Sequence, residues 1–224
     1  MKNQQITIAI DGPSGAGKST IAKRLAVELG IAYLDTGAMY RAVGLKAHEL
    51  SIDFSDISAI EMMLEATEVD VVYKDGIQQI LLDGKDVSVR IREHFVSKLA
   101  SDISAIPCVR IWLVERQRKV ASVDGCVLDG RDIGTYVLPN ASFKFFLTAS
   151  LKVRAKRRFD ELIAKGMSAD ISKIESDIAQ RDHNDSTRDF APLKKADDAI
   201  EVDSSNLGID EVVEVMLKKV KSKR

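Results

Sequence analysis

The sequence predicts an α/β fold, with a five-stranded parallel sheet flanked by helices and a small antiparallel β insertion. Short β-rich runs alternate with longer helical stretches, the rhythm of strands joined by crossover helices. Residues 12–20, GPSGAGKST, follow an apolar run and open a helical one. Between about Glu68 and Asp86 that rhythm breaks into two alternating runs, EVDVVY and IQQILL, joined by the turn signal KDG.

In chain order, ITIAID (6–11) is a buried strand, the glycine loop follows, and Thr20 to Leu29 is a helix stopped by Gly30. IAYLD (31–35) is the second strand. Helical text follows, in which Leu45, Leu50, Met62, Met63 and Leu64 are expected to be core-facing. The hairpin interrupts the strand-helix alternation and is therefore an insertion. After it, Pro107 suits the first position of a helix running to about Val120, because a missing N–H costs nothing there. CVLD (126–129), FKFFLTA (143–149) and DAIEVD (198–203) complete the five strands. Between the last two lie a basic helical segment, LKVRAKRRFDELIAKG (151–166), and a helix entered at Ser172.

A chain of 224 residues supports one domain with a substantial core, here residues 1–224 with a small insertion. Lys plus Arg total 33 against 34 Asp plus Glu, a net charge of −1, so no global field draws in nucleic acid or an anionic membrane. Any anion site must be local. Cys108 and Cys126 form no CxxC pair, and His48, His94 and His183 have no metal-ligand spacing. Nowhere do 18 consecutive apolar residues occur. A cytoplasmic, monomeric protein with reduced thiols is expected, without nucleic-acid or membrane partners.

Gly12, four residues, then Gly17, Lys18 and Ser19 match the phosphate-loop pattern in its proper context, strand before and helix after. Gly12, Pro13, Ser14, Gly15, Ala16, Gly17, Lys18, Ser19 and Thr20 are the predicted nucleotide-binding residues. Their N–H groups would line a cradle, the helix N-terminus would add positive potential, and Lys18 would reach the β and γ phosphates. Ser19 is the candidate Mg²⁺ ligand. Motors, switches, transport ATPases and small-molecule kinases share such a loop, and two readings compete here, a guanine-nucleotide switch and a small-molecule kinase. A switch normally carries D-x-x-G and N-K-x-D, yet no glycine here has Asp three places before it and no Asn precedes Lys.

The kinase reading gains an acceptor site. DTGAMYR (35–41), DGRDIG (129–134) and QRDHNDSTRDFAPL (180–193) follow strands or lie on a helix end, and ligands of parallel sheets bind beyond strand carboxyl ends. With IAIDGPSGAGKST, and in this order over nearly the whole chain, these segments resemble bacterial cytidylate kinases, a family of P-loop nucleoside monophosphate kinases. The resemblance implies a kinase core at about 1–35, 105–150 and 190–224, a monophosphate-binding region with the hairpin at about 36–104, and a lid at about 151–189. It also implies transfer from Mg²⁺·ATP to CMP or dCMP, with another small-molecule kinase (UMP, AMP or shikimate) as the alternative. Relatives commonly have Gly where Ser19 stands, and Ser where Thr36 stands.

By the same resemblance, Thr36, Arg41, Arg131 and Arg188 take the acceptor phosphate, and Arg181 and Asp185 its ribose. Ser101, Arg110 and Asp132 face the base. Residues 181, 185 and 188 are spaced i, i+4, i+7 and would share one face if their helix continued. Arg154, Arg157 and Arg158, at i, i+3, i+4, form a basic cluster at the lid entrance. With Lys18, Arg131 and Arg188 they are the candidate catalytic cations, since bringing two polyanions together demands neutralisation.

Overall fold

The computed structural model describes residues 6–74, 76–122 and 125–222. The chain divides into two compact units, Met1–Tyr33 with Asp124–Arg224, and Leu34–Val123.

Five strands, β1 (Thr7–Asp11), β2 (Ala32–Asp35), β6 (Cys126–Gly130), β7 (Phe143–Thr148) and β8 (Ile200–Asp203), form one sheet in the order β2-β6-β1-β7-β8. The order places β1 at the centre, parallel to β6 and β7, with Ile8 opposite Val127 and Phe143. Ile8, Ala9, Ile10, Val127 and Leu128 are wholly buried, which is why these strands read as continuous apolar runs. In the first unit, α1 (Lys18–Leu29) and α8 (Ile209–Lys221) supply Ile21, Leu25, Val212 and Met216 to the same core as Phe145 and Leu147. Each such side chain contributes about 1.5–3 kcal/mol on burial. α1 begins at Lys18, two residues earlier than expected, and ends at Gly30 in the left-handed region (φ 64°).

The second unit carries α2 (Thr36–Glu49), α3 (Ile57–Glu65), α4 (Val96–Ile103) and α5 (Pro107–Ala121). Pro107 opens α5 as predicted. The insertion, β3 (Val69–Lys74), β4 (Ile77–Leu82) and β5 (Lys85–Asp86), is a three-stranded antiparallel sheet and not a bare hairpin. The two-residue β5 escaped sequence reading because a strand so short shows no alternation. Asp75 of the expected turn lies outside the described residues. Of the expected helix-core positions, Leu45, Met63 and Leu64 are buried, whereas Leu50 (55% exposed) and Met62 (71%) are not. Leu50 caps the end of α2, and α3 turns Ile60, Met63 and Leu64 inward, which puts Met62 on the outer face.

Two helices of the first unit continue after β7. α6 (Leu151–Ala164) starts at Ser150, whose hydroxyl accepts from Val153 N–H. α7 (Ile171–Thr187) starts at Asp170, whose carboxylate accepts from the N–H groups of Ser172 and Lys173. α7 stops at Thr187, so Arg188 is an extended C-cap residue (ψ 143°) and does not share the helical face of Arg181 and Asp185.

Candidate active site

The phosphate loop turns directly out of β1. Gly12 takes φ 150°, and a Cβ there would stand 2.0 Å from the carbonyl oxygen of Leu147 on β7, so only glycine lets the chain leave the sheet at this point. Gly17, in the left-handed region (φ 92°), then opens α1 and brings Lys18 into its first turn. The Lys18 side chain is buried and its ammonium donates to the carbonyl of Pro13 (2.7 Å), folded over its own loop. Burial pushes this ammonium well below its ordinary value; Arg131 and Arg181 act in the same direction, and Asp129 and Asp185 oppose them. A polyphosphate in that place would reverse the balance by supplying the missing negative charge.

Ser19 follows on α1 and its hydroxyl donates to Asp129 Oδ2 (2.8 Å) at the end of β6. The other carboxylate oxygen of Asp129 accepts from the Tyr33 hydroxyl (2.8 Å). One hydroxyl and one carboxylate are hard oxygen donors that suit Mg²⁺, an ion that usually takes one or two protein ligands and completes its shell with water and phosphate. Among the described residues no group of three or more His, Cys, Asp or Glu is placed to hold an ion by itself. Asp129 and Tyr33 were not singled out from sequence. The signal available for Asp129 was an apolar strand, CVLD, that ends in a carboxylate beside the phosphate loop.

Asp11, the last residue of β1, was also passed over. Its buried carboxylate accepts from the backbone N–H of Ile133 (2.8 Å) and of Gly134 (2.7 Å). Burial pushes this carboxyl up to about 7, with Asp132 adding to the rise, while the two N–H donors and Lys18 work to lower it.

Beyond β6 stands a knot of opposite charges. Arg131 Nε donates to Asp185 Oδ2 (2.7 Å). Arg188 Nη2 lies 3.6 Å from Asp132 Oδ1, and Arg188 Nη1 3.7 Å from Asp185 Oδ1. Burial alone would raise the Asp185 carboxyl, but Arg131, Arg181 and Arg188 outweigh it and hold the carboxyl below its usual range. Burial likewise opposes the charge of Arg131, which Asp185, Asp129 and Asp182 more than restore. Although Arg188 lies past the end of α7, its guanidinium turns back to donate to the carbonyl of Ala191 (2.8 Å from Nε). The segment after it is held by Leu193 N–H on the Asp185 carbonyl (2.7 Å) and by Phe190 edge-on to Tyr136 (ring centroids 5.0 Å).

The three lid arginines separate. Arg154 is buried and donates to the carbonyls of Ala149 (2.9 Å) and Ser14 (2.8 Å), and to Asp182 Oδ2 (2.5 Å). Asp182 Oδ1 also accepts from the Ser14 N–H (2.9 Å), so α7 touches the phosphate loop through a carboxylate that sequence reasoning missed. Arg157 donates to the carbonyls of Ser204 (2.7 Å) and Ala16 (3.4 Å). Arg158 pairs with Glu161 of its own helix (2.8 Å), a surface i, i+3 pair.

In the second unit, Asp35 caps α2 by accepting from Ala38 N–H (2.9 Å) and holds Arg41 Nη2 with its other oxygen (2.9 Å). Arg41 Nε is buried with no hydrogen-bond partner among the described residues, a donor that an anion would satisfy. Gly37 allows this approach, since a Cβ there would stand 3.4 Å from Arg41 Nη1. Gln78 of β4 accepts from Asp35 N–H (2.8 Å), tying the insertion to the start of α2. Thr36, the first residue of α2, is buried. Arg110 is almost wholly buried, with its guanidinium over the Tyr40 ring (5.5 Å) and Nη1 on the Ser104 carbonyl (3.1 Å). The Ser104 hydroxyl donates in turn to the carbonyl of Ser101 (2.8 Å), which links two of the expected base-facing residues.

A phosphate loop between a central parallel strand and a helix, with arginines and carboxylates gathered past the strand ends, defines a P-loop phosphotransferase of the kinase class. Residues 8–222 match the cytidylate kinase family, and the chain belongs to that family. Similar relatives include the cytidylate kinase of Caldicellulosiruptor bescii, 51% identical over 214 residues that cover 96% of this chain and 95% of the relative. That of Lactobacillus johnsonii is 48% identical over 224 residues, covering 98% and 97%. Among solved structures, a gluconokinase from Sinorhizobium meliloti shares the fold at TM-score 0.50 and 14% identity, covering 96% of this chain and 90% of that one. An uncharacterized protein from Eubacterium ventriosum does so at TM-score 0.53 and 18% identity, covering 98% and 99%.

Proposed function

We propose that this protein transfers the γ-phosphoryl group of ATP to CMP or dCMP, giving ADP and the pyrimidine diphosphate. The observation that carries the reading is the gathering, in one unit, of Lys18 with Arg131, Arg181, Asp185, Arg188 and Asp132, whose charges act on one another. Such a set suits two polyanions. Family membership supplies the identity of the acceptor.

The phosphate loop, Gly12 to Thr20, holds the donor, and Ser19 and Asp129 would hold Mg²⁺, which would supply positive charge against the terminal phosphates. Arg41, Arg131 and Arg188 with Thr36 take the acceptor phosphate, and Arg181 and Asp185 its ribose. Arg154 and Arg157, already on carbonyls of the loop, are better placed than Arg158 for the transferred group. Transfer is in line and needs no general base, because the acceptor oxygen is already ionised; positioning and charge do the catalysis. Arg110 and Asp132 with Ser101 read cytosine, whose amine donates to a carboxylate and whose N3 and O2 accept from a guanidinium. Uracil reverses both contacts and would leave buried groups unpaired, at about 1–3 kcal/mol each.

A coupled ADP-release assay over CMP, dCMP, UMP, AMP and shikimate tests the reading. CMP and dCMP should have the highest kcat/KM; equal or faster turnover of another acceptor overturns it.

A further inference from the structure

We propose that Asp11 is a positioning residue for the acceptor side of the reaction, acting by capping the turn that follows Asp132. This rests on the acceptor assignment of Arg131 and Asp132 above. Ile133–Val137 is a single π-helical turn whose first N–H groups have no partner within it. Asp132 stands at its N-cap, where an aspartate ordinarily accepts from the N–H two or three residues after it, here Gly134 or Thr135. Here its side chain makes no such bond. Asp11, more than a hundred residues earlier, takes the Gly134 N–H instead (2.7 Å) and with its other oxygen satisfies the Ile133 N–H as well (2.8 Å). Gly134 is shaped for the clamp: a Cβ there would meet Asp11 Oδ2 at 3.3 Å and Lys144 Cδ at 3.1 Å.

The arrangement has two effects. Asp132 is relieved of its local bond and stands 3.6 Å from Arg188. The backbone of Ile133 and Gly134, directly after Arg131 and Asp132, is fixed to the residue that immediately precedes the phosphate loop, so the acceptor segment and the donor cradle share one anchor. Without the clamp, Asp132 is the nearest carboxylate available to cap its own turn, which would draw it from the acceptor.

Asp11→Asn keeps the size but points an N–H₂ at one of the two backbone donors. Calorimetry with each nucleotide alone, and steady-state kinetics, should show CMP affinity lowered and its KM raised by about tenfold or more, with ATP affinity within about twofold of the parent. In a double-mutant cycle, Asp11→Asn and Asp132→Asn should be non-additive, the double variant being little worse than Asp132→Asn alone. Gly134→Ala, which crowds the same clamp from the other side, should reproduce the loss of CMP binding and carries the test if Asp11→Asn does not fold. Unchanged CMP binding in both variants, equal losses for CMP and ATP, or additive effects in the cycle overturn the proposal. If the parent prefers another acceptor, the substrate reading fails, and the same cycle, run with that acceptor, still decides the role of Asp11.

Discussion

At the scale of single residues, the site is built from charges that would be costly alone. Lys18 is buried among cations and anions and depressed by both burial and Arg131, so its charge has little purpose until phosphate arrives. Lys18→Ala should therefore leave the fold intact and cut kcat/KM by about a hundredfold or more, since losing one such clamp costs on the order of 3 kcal/mol in the transition state. Parent-like turnover would remove Lys18 from the donor site. Asp11 offers a second test, of stability. Its folded-state carboxyl titrates near 7, above its ordinary 3.8, so the folded chain holds the proton more tightly than the unfolded one. The resulting stabilisation is complete below about pH 4 and is lost as pH rises through about 7. The stability of the parent relative to Asp11→Asn should accordingly fall between pH 5 and pH 8, by at most roughly 3 kcal/mol. Urea unfolding at four pH values would show it, and a difference independent of pH would mean that Asp11 is already ionised throughout. The phosphate role of Lys18 was legible in sequence; that of Asp11 was not. The phosphate-loop pattern names Lys18 but not its burial, and the partners of Asp11 lie more than a hundred positions away.

At the scale of elements, local rules made the sheet legible and long-range contacts hid the rest. β1 and β6 follow continuous apolar runs because a doubly covered parallel strand is apolar throughout, whereas the edge strand β8 alternates, Val202 inward and Glu201 and Asp203 outward. Pro107 and Gly30 mark helix ends by their own chemistry. The failures are informative in the same terms. β5 is too short to show a period, and α7 ends before Arg188 because nothing local in STRD announces the extended C-cap that Ala191 and Phe190 hold in place. Gly44 is another such case, an unremarked glycine inside α2. A Cβ there would stand 3.1–3.2 Å from the backbone and Cβ of Leu99 in α4, so the absence of a side chain sets how closely these helices approach. Helix propensity alone favours Gly44→Ala by about 1 kcal/mol. Overpacking against a backbone that cannot step aside costs about 1–3 kcal/mol and should win. Thermal unfolding is expected to show a lower Tm for Gly44→Ala than for the parent; a raised Tm would mean that α4 yields freely.

On the scale of the whole molecule, the residues assigned to the acceptor are divided between the two units. Thr36, Arg41, Ser101 and Arg110 belong to Leu34–Val123, and Arg131, Asp132, Arg181, Asp185 and Arg188 to the other unit. Most of this set was recognisable because four motifs occur in the right order, yet no motif reveals that Arg41 Nε is a buried donor with no hydrogen-bond partner among the described residues. That orphan is the strongest independent sign that the second unit contributes to anion binding, since a buried unpaired donor costs about 1–3 kcal/mol that a phosphate oxygen would recover. Hydrogen exchange on the two nucleotides separately should distinguish the units. ATP alone should slow exchange in the phosphate loop and the first turn of α1. CMP alone should slow it both at residues 36–41 and at residues 131–134 and 181–188. Amides that open only on global unfolding slow for any ligand, by about a hundredfold at a hundred times Kd, so the assignment must be read from those that open locally. If CMP protects the first unit and leaves residues 36–41 exchanging at the rate of the nucleotide-free protein, then Thr36 and Arg41 do not hold the acceptor phosphate, and the orphaned Nε of Arg41 requires another anion.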